Sequence, residues 1–391
     1  MVVRKGYNNT HLKYRNRGIV LQLIANGPMS RIDITKRMGL TRMAISNIVG
    51  ELINENYILE GETEENAQVG RNPILLDVAP GSPLAAGIYI ARSSVSVILT
   101  DIRLTAIYID EIPLENETED SLKEKICLLL DRLFAYRDER MKNRKVLGIG
   151  ISSIGPFDPK DGTILNPIDF FSISNLPLKE FLEQRYRLPV FAENDMNASA
   201  LAEHLHGSGR NCNDFLYLGI TNGIGSGIVV DGRLYGSESI SVGEIGHMCI
   251  NFEGPLCSCG SRGCLETYAT IPVILKQLEE ASGKEGLTPT DFEFLAEDER
   301  CRAVFDGLVD KLAAALTSAV NLLDPERIVI GHEGVFLPEY CFEALQKKVE
   351  GRILAAGYKS ISVLPSAFSL GAPLYGAAAA VLSRLFEGEL V

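Results

Sequence analysis

Three of the eight cysteines, Cys257, Cys259 and Cys264, crowd into eight residues, and Gly260 and Gly263 fall inside the same stretch. No other feature restricts the backbone so tightly, because one short reversing segment has to bring three thiols close together. Glycine makes such a reversal possible by reaching conformations that a Cβ disfavours. The other five, Cys127, Cys212, Cys249, Cys301 and Cys341, are scattered singly. In a chain of this length the pattern argues against a disulfide framework and leaves thiols that are buried, reactive or metal-bound.

The rest of the composition places the cluster in a folded protein. With 391 residues, 46% hydrophobic and 23% charged, the chain is long enough for a small domain joined to a two-lobed one. No run of about 18 apolar residues occurs, and the segment 1–14 is basic and polar, so neither a membrane span nor export is expected. The expected location is the cytoplasm. Charge is divided unevenly: residues 1–58 hold nine Lys/Arg against Asp33, Glu51 and Glu55, a net +6, whereas the remainder carries −19 of the total −13. A basic head on an acidic body implies that the head alone approaches a polyanion such as DNA.

Within the head, apolar residues from Arg17 to Ala25 form a helical pattern that stops at Asn26-Gly27-Pro28. Ser30 followed by Asp33 starts a second helix that ends at Gly39, and Thr41 caps a third. Ile45, Ile48, Val49, Leu52 and Ile53 share one face of that third helix, which turns Arg42, Met43, Ser46 and Asn47 outward. A short helix, a glycine turn and a longer helix with polar early turns is a helix-turn-helix suited to a major groove, with Arg42, Ser46 and Asn47 as candidate base readers. The polar segment 62–68 and the apolar Ile74-Leu75-Leu76 complete a two-stranded wing. Arg71, between Gly70 and Asn72-Pro73, is either a minor-groove hook or a turn arginine in solvent. A helical protein-interaction module is the other reading of the head.

The body opens with two β-rich runs, 84–90 and 95–101, that read as a hairpin starting an α/β domain. Further strands are expected near 146–151, 190–192, 215–220, 227–230 and 327–330, with helices near 121–136, 198–206, 309–323 and 372–386.

Four motifs follow in order: Glu193-Asn194-Asp195-Met196-Asn197; Thr221-Asn222-Gly223-Ile224-Gly225-Ser226-Gly227; Glu244-Ile245-Gly246-His247; and Cys257-Ser258-Cys259-Gly260-Ser261-Arg262-Gly263-Cys264-Leu265-Glu266. Together they resemble the ROK family of repressors and sugar kinases, whose repressor branch, including xylose- and N-acetylglucosamine-type regulators, also starts with a winged helix-turn-helix. The resemblance implies an actin/hexokinase-like, ribonuclease H-like α/β body of two lobes with a cleft between them. The domains are then 1–78 for the DNA-binding head, 79–85 for a linker, 86–195 for the first lobe, joined by the C-terminal helix 372–391, and 196–371 for the second lobe.

A sugar presents hydroxyls that both donate and accept, so its site needs converging carboxylates and amides. By resemblance, Asn194, Asp195, Glu244, His247 and Glu266 bind the sugar, and Asp195 matches the base of the kinases. Likewise His247, Cys257, Cys259 and Cys264 match the family's structural Zn2+ set of three thiolates and one imidazole. The second ring nitrogen of His247 remains available to a sugar hydroxyl.

The kinase pattern fails in the first hairpin, where the kinases carry Asp-x-Gly-Gly-Thr and this chain has Tyr89-Ile90-Ala91-Arg92-Ser93. Side chains occupy the space where backbone should meet phosphate. In a later loop, Gly331-His332-Glu333-Gly334, His332 stands where kinases keep a glycine. The expectation is a non-enzymatic transcription regulator, a repressor of sugar-utilisation genes such as those for xylose, which binds double-stranded operator DNA as a homodimer or dimer of dimers and is released by a sugar. The alternatives are an active sugar kinase with an appended DNA-binding head, and a DNA-bound scaffold that ignores sugars.

Overall fold

A computed structural model describes residues 9–63, 73–167 and 170–390. The head comprises α1 (Asn9–Ala25), β1 (Met29–Ser30), α2 (Arg31–Met38), α3 (Arg42–Asn54), β2 (Ile58–Thr63) and β3 (Ile74–Val78). Its helix ends form as the local sequence dictates. The Ser30 hydroxyl accepts from the Asp33 N–H at 3.2 Å and donates to the Asp33 carboxylate at 2.6 Å. Gly39 closes α2 at φ 64°, and the Thr41 hydroxyl accepts from the Ala44 N–H at 3.2 Å at the start of α3.

Ile45, Ile48, Val49 and Leu52 are buried as the periodicity requires, while Ile53 is only half-buried. Strands β2 and β3 pair antiparallel from Ile58↔Val78 to Thr63↔Ile74, forming the expected wing, and β1 adds a third strand through Ser30↔Leu75. Helix α1 begins eight residues before the predicted start. Lys13 and Arg17, one turn apart, explain the extension: Lys13 pairs with Glu51 at 2.7 Å, and buried Arg17 reaches Glu51 at 3.3 Å and Glu55 at 2.5 Å on α3. These two cations therefore tie α1 to α3 within the head.

After the head come β4 (Leu84–Ile90), β5 (Ser94–Thr100), β6 (Ala106–Pro113), α4 (Glu119–Arg140), β7 (Val146–Ser153), β8 (Phe157–Asp158), β9 (Thr163–Ile164), β10 (Leu176–Pro177), α5 (Lys179–Tyr186) and β11 (Val190–Asn194). The expected hairpin is β4–β5, in register from Ala85↔Thr100 to Ile90↔Val95, within a sheet of order β11-β7-β4-β5-β6. Strand β7 is buried along its whole length, as a strand covered on both faces must be. The predicted linker 79–85 is shorter than expected, because β4 starts at Leu84. Arg103 ties this join down: its Nε donates to the Ala25 carbonyl at 3.3 Å and its guanidinium pairs with Asp77.

The remaining elements are α6 (Asp195–His206), β12 (Phe215–Ile220), β13 (Ile224–Val230), β14 (Arg233–Leu234), α7 (Glu266–Ala269), α8 (Ile271–Ser282), α9 (Phe292–Leu295), α10 (Glu299–Leu323), β15 (Arg327–His332), α11 (Glu339–Glu350), β16 (Ser362–Pro365) and α12 (Ala372–Phe386). Their sheet has the order β14-β13-β12-β15-β16, antiparallel at β12–β13 and parallel at β12–β15 and β15–β16. A core of Phe292, Phe305, Leu312, Leu316, Ile328 and Ile330, among others, lies between it and its helices.

The chain forms two compact units. The first holds Met1–Ser152, Asp161–Ala192 and Ala377–Val391, and the second holds Ser153–Lys160 and Glu193–Gly376. Helix α12 is shared: Ala372–Gly376 belong to the second unit and the helix from Ala377 onward to the first, where an added Cβ on Gly150 would lie 1.7 Å from the Ala377 carbonyl oxygen and one on Gly87 would lie 2.7 Å from the Ala378 nitrogen. The expected end of the first lobe at residue 195 is corrected, since Asn194 and Asp195 belong to the second unit with Glu244, His247 and Glu266. The reason is local. Asn194 is both the last residue of β11 and the N-cap of α6, and Asp195 is the first residue of that helix.

Candidate metal centre and ligand-binding site

The cysteine loop is built on two close backbone approaches. Gly263 has φ +67° and its N–H donates to the Pro255 carbonyl at 2.8 Å, while its own carbonyl accepts from the Ile250 N–H at 2.8 Å. A Cβ there would lie 1.7 Å from the Asn251 oxygen, so only glycine fits. Gly260, at φ +89°, turns the chain back so that the Cys257 N–H meets the Ser261 carbonyl at 2.8 Å. The ligand atoms of His247, Cys257, Cys259 and Cys264 then lie within 4.8 Å of one another.

The edges of this cluster fit a metal. Cys259 Sγ is 3.7 Å from Cys264 Sγ, and Cys257 Sγ is 3.6 Å from His247 Nδ1. A tetrahedral zinc about 2.3 Å from each sulfur separates two sulfurs by about 3.8 Å. The Ser261 N–H lowers the Cys259 thiol to about 7, whereas burial pushes the Cys264 thiol up to about 12. Three thiolates so close repel one another, and a divalent cation removes that conflict.

Beside the thiols stand two of the candidate sugar ligands. Glu266 Oε1 accepts from Cys257 Sγ at 3.1 Å and lies 3.4 Å from His247 Nδ1. With Nδ1 turned toward the thiols, Nε2 is the ring nitrogen of His247 left for a ligand. Partial burial raises the Glu244 carboxyl above its ordinary value, with His247 opposing the shift and Glu266 reinforcing it. These three residues therefore form one electrostatic group.

Asn194 and Asp195 form a second group on the first turn of α6. The Asn194 side-chain oxygen accepts from the Asn197 N–H at 2.7 Å, so that oxygen serves as a helix cap and the amide nitrogen is the part left for a ligand. Asp195 Oδ1 accepts from the Met196 N–H at 3.0 Å. Strand β13 touches both groups: an added Cβ on Gly225 would meet Met196 Cγ at 2.9 Å, and one on Gly246 would meet the Ile224 oxygen at 2.2 Å. Gly227 is likewise held open by the Met196 carbonyl, at 2.5 Å from its would-be Cβ. Gly225 and Gly227 thus have a packing reason to be small.

Sequence reasoning singled out His332 as an oddity but did not place it in the site. It is buried, with its Nδ1 3.0 Å from the Tyr217 hydroxyl and its Nε2 3.9 Å from Asp195 Oδ2. Burial lowers its pKa to about 4, so the ring is neutral at neutral pH. The signal was a histidine at a glycine position, which only the fold connects to Asp195.

On the head, Arg42, Ser46 and Asn47 are exposed on the early turns of α3, and Met43 beside them is 72% exposed. Arg71 lies outside the described residues.

The ROK family pattern matches residues 85–384. A xylose repressor of Caldicellulosiruptor bescii is 29% identical over 97% of this chain and 98% of its own length. Among solved structures, a ROK family transcriptional regulator described as a homologue of the Escherichia coli MLC protein superposes with a TM-score of 0.80 at 27% identity, covering 97% of this chain and 98% of that one. A ROK hexokinase from Thermus thermophilus superposes with a TM-score of 0.65 at 27% identity over 76% of this chain and 97% of its own. The regulator aligns with the head as well as the body, whereas the hexokinase leaves about a quarter of this chain unmatched. With a family match over most of its length, this chain is a member of the ROK family.

Proposed function

We propose that the chain is a sugar-responsive transcription repressor: α3 reads operator DNA, and a monosaccharide held by Asn194, Asp195, Glu244, His247 and Glu266 changes operator affinity. The observation that carries this reading is the division of α3 into a buried apolar face and an exposed face of Arg42, Met43, Ser46 and Asn47. A helix presented in this way, with a wing beside it, is what major-groove reading needs. The name of the Caldicellulosiruptor relative makes D-xylose the first sugar to test. Structural zinc at His247, Cys257, Cys259 and Cys264 holds the loop that presents Glu266. A homodimer follows from the two-fold symmetry of operators read by helix-turn-helix proteins. No described helix is long and apolar enough to cross a membrane.

A sugar kinase is the second reading, favoured by Asp195 and by the turn in which the Thr221 N–H meets the Gly223 carbonyl at 2.8 Å. Against it, the β4–β5 turn closes through the Ala91 N–H to the Ser94 carbonyl at 2.9 Å, with Arg92 in place of a phosphate-facing glycine. The test is an operator titration by fluorescence anisotropy with and without saturating D-xylose and, in parallel, other monosaccharides. A coupling of about 1–3 kcal/mol gives a 5- to 150-fold loss of affinity. Unchanged affinity with every sugar that calorimetry shows to bind refutes the sensory role. Stoichiometric sugar phosphate in a single-turnover reaction with ATP and magnesium establishes the kinase instead.

A further inference from the structure

His332 combines a strained backbone, complete burial of its polar atoms and an unsatisfied nitrogen that faces a candidate ligand-binding carboxylate. Its φ of 53° and ψ of −143° lie in a region used almost only by glycine. The two strands that hold it make room by giving up side chains. Gly219 and Gly331 are register partners on β12 and β15. An added Cβ on Gly219 would lie 2.8 Å from His332 Nδ1, and one on Gly331 would lie 1.9 Å from the Tyr217 hydroxyl. Two glycines thus frame a buried Tyr217–His332 pair. Strain of this kind clusters at ligand-binding and catalytic sites, which directs attention to what His332 faces.

The electrostatics indicate what that use is. A neutral imidazole carries one N–H. If that proton sat on Nδ1, a bare Nε2 lone pair would face the Asp195 carboxylate, acceptor against acceptor. The arrangement that avoids this has Tyr217 donate to Nδ1 and leaves the proton on Nε2. Nε2 is buried with no hydrogen-bond partner, and it stands 3.9 Å from Asp195 Oδ2. That separation is too long for a hydrogen bond, and a shift of about 1 Å closes it to one. The other carboxylate oxygen is engaged by the Met196 N–H.

We propose that His332 is a positioning residue, whose Nε2–H draws Oδ2 of Asp195 into the orientation in which the carboxylate receives a ligand hydroxyl. The proposal rests on the reading of Asp195 as a sugar ligand, and it is tested in two arms on the full-length protein. In the first, without sugar, the Nε2 proton of His332 is observed by NMR in 15N-histidine-labelled protein and assigned by its disappearance in His332→Gln. Asp195→Asn should move that resonance, and a resonance that stays in place overturns the proposal.

In the second arm, D-xylose binding is measured by calorimetry for the wild type, His332→Gly, His332→Gln, Asp195→Asn and the His332→Gly/Asp195→Asn double variant, each checked for folding by thermal melting. His332→Gly should weaken binding about 5- to 20-fold in the wild-type background and not at all in the Asp195→Asn background, as coupled residues do. His332→Gln, which restores an N–H donor, should recover part of the loss. Losses that multiply in the double variant, or no loss in His332→Gly, overturn the proposal. If wild-type protein binds no D-xylose or other monosaccharide, the sugar reading fails by itself, and the NMR arm still decides whether His332 acts on Asp195.

Discussion

Replacing Gly263 with alanine attacks the thiol cluster without removing a thiol. The new Cβ would lie 1.7 Å from the Asn251 carbonyl oxygen, and ordinary contact is about 3.5 Å, so the loop has to open by roughly 1.8 Å. Opening breaks the Ile250 N–H to Gly263 carbonyl and Gly263 N–H to Pro255 carbonyl hydrogen bonds. Each contributes about 0.5–1.5 kcal/mol, and the left-handed backbone at φ +67° costs alanine a further 1–2 kcal/mol or so. The sum is roughly 2–5 kcal/mol. Cys264 follows Gly263 directly, and metal–ligand distances tolerate only about 0.2 Å, so the cost falls on zinc affinity as well as on folding. Metal analysis should find one zinc per wild-type chain. Competition with a chromophoric chelator should find Gly263→Ala weaker by at least about 30-fold, the equivalent of the lower bound. Gly260→Ala is the control: its φ is +89° but nothing lies within 4 Å of the added Cβ, so it should show the conformational cost alone, about 1–2 kcal/mol. A Gly263→Ala protein that holds zinc as tightly as the wild type refutes the argument.

Other expectations concern the head and the first unit. Thr41→Ala removes the hydroxyl that caps α3 and should cost about 0.5–2 kcal/mol in a thermal melt followed by circular dichroism. Asn47→Ala should weaken the cognate operator by about 1–3 kcal/mol and flatten discrimination between bases, whereas a uniform loss on all DNA assigns it to phosphate contact. Burial of Glu117 opposes its charge, but hydrogen bonds from Lys125 at 2.5 Å, from Ser121 and from the Glu115 N–H outweigh it and hold the carboxyl at about 2. A depressed carboxylate stabilises the fold above its ordinary value near 4.5, and that contribution, about 3 kcal/mol, disappears as pH falls from 4.5 toward 2. Glu117→Gln should be less stable at neutral pH and should flatten the acid limb of a pH-dependent urea titration. An unchanged acid limb removes Glu117 from the account.

Local chemistry made much of the chain legible. Ser30, Gly39 and Thr41 marked helix ends because caps act within one turn, and the four buried aliphatic residues of α3 followed from its period. Helix α10 was harder to read. It starts at Glu299, ten residues before the predicted start, because Glu299, Arg300, Arg302 and Asp306 mask the apolar face that Cys301, Phe305 and Leu308 already establish. Strand β6 was missed for a related reason: its burial alternates along an edge of the sheet, and residues such as Asp110 and Glu111 give it little strand propensity.

By itself the sequence determined the capped helices of the head, the hairpin at β4–β5 and the four residues able to gather around a metal, since each depends on spacing and on residue type within short stretches. The tertiary structure alone decided that Lys13 and Arg17 are engaged by Glu51 and Glu55, that Asn194 divides its side chain between capping and any ligand, and that His332 faces Asp195. Those facts depend on which residues meet across 34 to 137 positions of chain or on how one side chain's atoms are shared. Neither propensity nor periodicity carries such information, because both are sums over neighbours in sequence, whereas a buried contact is fixed by the packing of whole elements.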